Sequence, residues 1–85
     1  MIAVYELYQT DTFRNDLKKV DKRTKESLRH IIEKLLEDPT RYKPLKGKPG
    51  YYRIRLGVYR LIYKLEAEKI VLMFVKKRGT VYKKL

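Results

Sequence analysis

An α+β domain is the fold that this sequence predicts, with two helices on one face of a four-stranded sheet and basic side chains on the other. Three observations predict it. Leu28, Ile31, Ile32, Leu35 and Leu36 recur at helical spacing within residues 22–37. Apolar and polar side chains alternate on both sides of Gly57-Val58, as in a hairpin with one apolar face. A nearly unbroken apolar run then leads from Ile70 to Val75, the composition of a central strand. At 85 residues the chain is read as one domain spanning 1–85.

Each element has its own signal. Residues 2–9 are rich in β-branched and aromatic types and predict the first strand. Thr10-Asp11-Thr12 supplies capping residues, and Phe13, Leu17 and Val20 at i, i+4, i+7 predict a short helix. The second helix, over 22–37, stops at Asp38-Pro39 because the residue before a proline is pushed out of the helical region. Three prolines and two glycines make 39–50 a loop. Tyr52, Ile54 and Leu56 then alternate with Tyr51, Arg53 and Arg55, and Tyr59, Leu61, Tyr63 and Leu65 alternate with Arg60, Ile62 and Lys64. Gly57 at the first position of a two-residue loop predicts a type II′ hairpin turn. Glu66-Ala67-Glu68-Lys69 is the second turn, and the strands after the helices form an antiparallel meander.

Charge narrows the function. Residues 1–38 carry eight basic and eight acidic side chains, whereas 39–85 carry fourteen and two, so the net +12 belongs to the second half. Such a concentration points to a polyanionic partner. There is no cysteine, hence no disulfide and no thiol chemistry. No apolar run approaches the roughly 18 residues of a membrane span, and the N-terminus has no signal-peptide pattern. The expectation is a cytoplasmic protein with no membrane partner.

With Gly57-Val58 as the loop, Arg55 stands opposite Arg60, Ile54 opposite Leu61, Arg53 opposite Ile62, and Tyr52 opposite Tyr63. One face is then core, and the other carries Arg53, Arg55, Arg60 and Lys64. Like charges opposite one another destabilise a sheet, so the Arg55/Arg60 pair brings the fold nothing until a counter-ion arrives. If Leu65 faces Ile70, Arg60 faces Val75 and Lys77 joins the basic face, followed by Arg78 and Tyr82. Lys46 and Lys48 add RNA-binding attraction, and Lys76 contributes only diffuse charge.

The only carboxylates after residue 38 are Glu66 and Glu68, both in a turn, which leaves no cluster to hold a catalytic metal. His30, the only histidine, lies about 200° around the helix from Leu28, on the solvent side. The reaction still open to such a cationic surface is phosphodiester cleavage without metal or histidine. The 2′-hydroxyl of RNA attacks its own phosphate, arginines clamp and neutralise that phosphate, and another group moves the proton. A lysine among arginines gives up its proton more readily than one alone, so Lys77 is the candidate base. Tyr82 is the candidate for proton transfer or for stacking on a base.

Leu45-Lys46-Gly47, the segment from Gly50 to Tyr63 and the ending Lys77-Arg78-Gly79-Thr80-Val81-Tyr82-Lys83 resemble the RelE/ParE toxin superfamily, and the tail is similar to archaeal RelE members. The resemblance implies the toxin of a type II toxin–antitoxin pair, an mRNA interferase that cuts mRNA in the ribosomal A site. By the motif, Arg53 and Arg55 match the two basic positions of the first motif strand and Arg60 the phosphate-binding arginine. Arg78 and Tyr82 match the C-terminal arginine and tyrosine. Lys77 stands where many members have a histidine. The implied partners are an acidic, partly disordered RelB-like antitoxin, the ribosome and mRNA, with no small-molecule cofactor. The rival readings are a ParE-like gyrase inhibitor and a non-catalytic RNA-binding module.

Overall fold

The computed structural model describes residues 4–79. Its elements run β1 (Glu6–Gln9), α1 (Asp11–Leu17), α2 (Lys22–Glu37), β2 (Lys43–Pro44), β3 (Tyr51–Leu56), β4 (Tyr59–Glu66) and β5 (Lys69–Lys77). Both helices start where capping side chains stand. The Thr10 hydroxyl accepts from the Phe13 N–H at 3.0 Å, and the Asp21 carboxylate accepts from the Thr24 N–H at 3.2 Å. At the far end of α2, Asp38 is extended, with φ −155°, just ahead of Pro39.

The sheet has the order β1-β5-β4-β3-β2, with β1 parallel to β5 and the other pairs antiparallel. Among the described residues it therefore has five strands and not four. The addition is β2, inside the segment expected to be only a loop. It is two residues long and lies at the sheet edge, the place where a strand tolerates a proline.

The β3–β4 register follows the alternation: Arg55 pairs with Arg60, Ile54 with Leu61, Arg53 with Ile62 and Tyr52 with Tyr63. Gly57, at the turn, has φ +63°. The second turn also begins as expected, with Leu65 opposite Ile70. A β-bulge then intervenes. Tyr63 pairs with Leu72 but Ile62 pairs with Phe74, which leaves Met73 as the extra residue. From there on β5 is displaced by one position. Arg60 faces Lys76 instead of Val75, and Lys77 faces Tyr59.

The helices cover the face that holds Ile54, Leu56, Leu61, Tyr63, Ile70, Leu72 and Val75, packing Phe13, Val20, Leu28 and Leu35 against it. Leu36, expected in the core, is 38% exposed. Tyr63 has no exposed surface. Its hydroxyl donates to the Pro39 carbonyl at 2.6 Å and its ring stacks on Tyr52 at 5.2 Å. Burial pushes that hydroxyl far above the usual tyrosine range.

The opposite face is not purely basic, as the alternation had led us to expect. Ile62 and Phe74 form a second buried cluster there, with Leu45, Tyr51 and Met73 packed against it. Ile62 lies on this face by the alternation itself, and the bulge sets Phe74 rather than Met73 opposite it.

Where β1 ends, α1 takes over the edge of β5. The Thr10 N–H donates to the Leu72 carbonyl at 3.1 Å and the Thr10 hydroxyl to the Met73 carbonyl at 2.6 Å. One turn later, the Asp16 carboxylate accepts from the Val75 N–H at 3.3 Å and from Lys76 Nζ at 2.7 Å. Asp16 is 6% exposed. A helix side chain thus satisfies a strand donor that has no neighbouring strand.

The turn between β4 and β5 places Ala67 at φ +55°, in the left-handed region. That conformation costs a residue with a Cβ roughly 1–2 kcal/mol. Ala67→Gly is expected to raise the unfolding free energy by about 0.5–1 kcal/mol, measured by urea denaturation. An unchanged or lower midpoint would mean that the turn relaxes at no cost.

Candidate nucleic-acid interface

Alternation and register arrange the open sheet face in rows. One row crosses β3, β4 and β5 as Arg55, Arg60 and Lys76. The next runs from β2 through Lys43, Arg53, Ile62 and Phe74. A third holds Tyr51, Lys64 and Val71. Directly opposed residues in antiparallel strands have Cα atoms about 4.5–5.5 Å apart, so the residues of each row are cross-strand neighbours.

Arg60 is the buried member of the first row, 4% exposed. Its Nη1 donates to the Gly57 and Tyr59 carbonyls, both at 2.9 Å. The arginine pair therefore does serve the fold, since Arg60 ties down the hairpin turn beside it. Holding one end of the guanidinium also fixes the direction of the whole group, and fixed charge is what preorganised electrostatic stabilisation requires. Arg55 is exposed. Arg78 is exposed too, and its backbone N–H donates to the Val58 carbonyl at 3.0 Å. The backbone positions of Arg55, Arg60 and Arg78 thus lie at one end of the sheet, around the Gly57-Val58 turn.

The remaining expected residues are placed as follows. Lys77 is not on the basic face, because the bulge puts it opposite Tyr59. It lines a cleft of about 360 Å³ on the helix side with Lys19, Tyr59 and Asp16. Lys76 takes its place in the arginine row, and its Nζ is held by Asp16 at 2.7 Å. Lys64 lies over the Tyr51 ring, 5.5 Å from its centroid, and 3.6 Å from a Glu66 oxygen. Lys46 and Lys48 line a cleft of about 480 Å³ with Lys43 and Arg53, without any carboxylate. Tyr82 lies outside the described residues. His30 is exposed on α2.

Asp16 and Lys43 escaped sequence reasoning. Asp16 is one of eight acidic residues in a neutral half of the chain, and nothing local sets it apart. Lys43 stood in a segment with no strand signal.

Among the described residues, no three His, Asp or Glu side chains gather as metal ligands would. No helix there is long and apolar enough to cross a membrane. The arrangement can bind a phosphate by guanidinium forks and stabilise negative charge that builds on it.

Comparison with known proteins agrees with this geometry. The family model described as the ParE toxin of the type II toxin–antitoxin system parDE matches residues 7–82. No curated protein sequence matches the chain. Among solved structures, the RelB–RelE antitoxin–toxin complex of Methanococcus jannaschii is similar with a TM-score of 0.78 at 29% identity. That match covers 92% of this chain and 98% of the other. A mutant of the E. coli toxin RelE in the free state gives a TM-score of 0.81 at 25% identity, covering 94% and 92%. The toxin–antitoxin complex RelBE2 of Mycobacterium tuberculosis gives 0.69 at 31%, covering 93% and 97%. With a family match over nearly its whole length and the same α+β fold, the chain belongs to the RelE/ParE superfamily of type II toxin–antitoxin toxins.

Proposed function

We propose that this toxin is a ribosome-dependent mRNA endoribonuclease of the RelE type. The observation that carries the reading is the facing pair Arg55/Arg60, its second guanidinium anchored to the hairpin turn to which Arg78 is also bonded. A phosphodiester seated there would meet three guanidinium groups from three chain segments. The 2′-hydroxyl attacks the adjacent phosphorus, a 2′,3′-cyclic phosphate forms, and the 5′-oxygen leaves with a proton. Arg60 and Arg78 offset the charge on the pentacoordinate phosphate, while Arg53 and Arg55 position the strand. Lys46, Lys48 and Lys64 draw the RNA in. Tyr82 is assigned to proton transfer or to stacking on a base.

The partner proposed for the free protein is a RelB-like antitoxin, supported by the similar chains crystallised in RelB–RelE complexes. An acidic, partly disordered chain that folds on binding would complement the +12 charge. The setting proposed for both activities is the cytoplasm.

The test compares an mRNA alone with the same mRNA on programmed ribosomes, with EDTA in the free-RNA arm. Cuts confined to the ribosome-bound message are the expected result. The family match carries the name of ParE, so inhibition of gyrase is the second reading. Intact RNA in both arms together with inhibited DNA supercoiling would replace the first reading with the second.

A further inference from the structure

The mechanism leaves one part of the open face unused. Between the loop 45–50 and the start of α1 lies a cleft of about 300 Å³, floored by Tyr51, Ile62 and Phe74 and rimmed by Thr12, Lys48 and Lys76. Two of its floor residues form the second buried cluster, on the face away from the helices. Ile62 and Phe74 are themselves buried, and the half-buried Tyr51 and Met73 are the apolar lining residues that keep exposed surface. No carboxylate lines the cleft. Lys48 also lines the neighbouring cleft with Lys43, Lys46 and Arg53. An apolar, aromatic floor therefore adjoins a cationic channel across a single lysine.

This is the chemistry of a nucleotide: a flat base that gains by leaving water for an aromatic surface, joined to phosphates that seek cations. Register places the site on the strand path. Ile62 and Phe74 lie in the row next to Arg60 and Lys76, so a base in the cleft is two strand residues, about 7 Å, away from the arginine row.

We propose that this cleft is a base-binding subsite for one unpaired nucleotide next to the scissile phosphate, with its backbone led past Lys48 into the Lys43/Lys46/Arg53 channel. The subsite rests on the RNA-cleaving reading above. Tyr51 supplies the stacking surface, and Lys48 holds the sugar–phosphate turn between the two clefts.

The test is single-turnover cleavage on ribosomes programmed with messages in which each A-site and flanking nucleotide is replaced, one at a time, by an abasic one. Wild type is compared with Tyr51→Leu, which keeps the apolar packing and loses the ring. One abasic position is expected to slow the wild type about tenfold, the worth of one base–aromatic stack. The same position should slow Tyr51→Leu no further, because base and ring act as one unit. Tyr51→Met, which likewise keeps apolar packing and loses the ring, is the second variant should Tyr51→Leu fold poorly, and it should show the same non-additivity. Multiplying effects, or no sensitive position, would overturn the subsite while the cleavage reading stands. A wild type that cuts no base-bearing message would overturn both. Unchanged cleavage by Tyr51→Leu with weakened antitoxin binding would give the cleft to an acidic peptide and likewise overturn the proposal.

Discussion

Replacing Arg60 by lysine is expected to lower ribosome-dependent cleavage about 100-fold while the protein stays folded. Lysine keeps the charge but is a point donor without the planar fork. In the structure one end of the guanidinium is spent on the Gly57 and Tyr59 carbonyls. A single ammonium cannot hold the turn and face a phosphate in the same direction. Removing one preorganised donor to a developing oxyanion typically costs about 10²–10³ in rate. Arg60→Ala should lose at least as much activity, and in addition about 1.5–3 kcal/mol of stability from its charged hydrogen bonds. The two variants separate the roles: the turn contributes to the unfolding midpoint, the phosphate only to the rate. Full cleavage by a folded Arg60→Lys would remove Arg60 from the mechanism.

Asp16→Ala should be the most destabilising change of the set, at about 3 kcal/mol in urea denaturation. Its carboxylate is nearly buried and serves two donors at once, the Val75 N–H and Lys76 Nζ. The truncation leaves both without an acceptor, and the lysine side chain is only 17% exposed. An orphaned charge accounts for much of the expected cost. The double variant Asp16→Ala/Lys76→Met should therefore be more stable than Asp16→Ala alone. A loss below about 1 kcal/mol would show that water replaces the carboxylate without penalty.

How much of this was legible in the sequence depends on where the information is local. The β3–β4 hairpin was readable because Gly57 fixes a two-residue turn and strict alternation fixes its register. Helix α2 was readable because an apolar stripe and an N-cap agree. Past Ile62 the reading slipped by one residue. A bulge at Met73 leaves no mark in an apolar run where every residue suits a strand. That slip put Lys76 in place of Val75 opposite Arg60, turned Lys77 off the basic face and hid the Ile62/Phe74 cluster. Strand β2 was invisible for another reason: two residues containing a proline carry no pattern, and only the neighbouring strand makes them one. Arg60 was legible as a candidate for phosphate binding, but its burial depends on how its side chain folds back, which no spacing encodes. Asp16 was missed because its partners lie in β5, far along the chain.

The parallel pairing of the earliest strand with the latest imposes an order of events. Thr10 and Met73 are bonded across 63 positions of sequence, and among the described residues β1 has no neighbour in the sheet other than β5. During synthesis the N-terminal strand and α1 leave the exit tunnel first and must wait, unpaired, until β5 emerges. The arginine hairpin is made before β5, but the strand that flanks Arg60 with Lys76 is made after it. Completion of the sheet therefore waits on the emergence of β5, and a nascent chain keeps β1 unpaired for as long as β5 stays inside the ribosome that is making it.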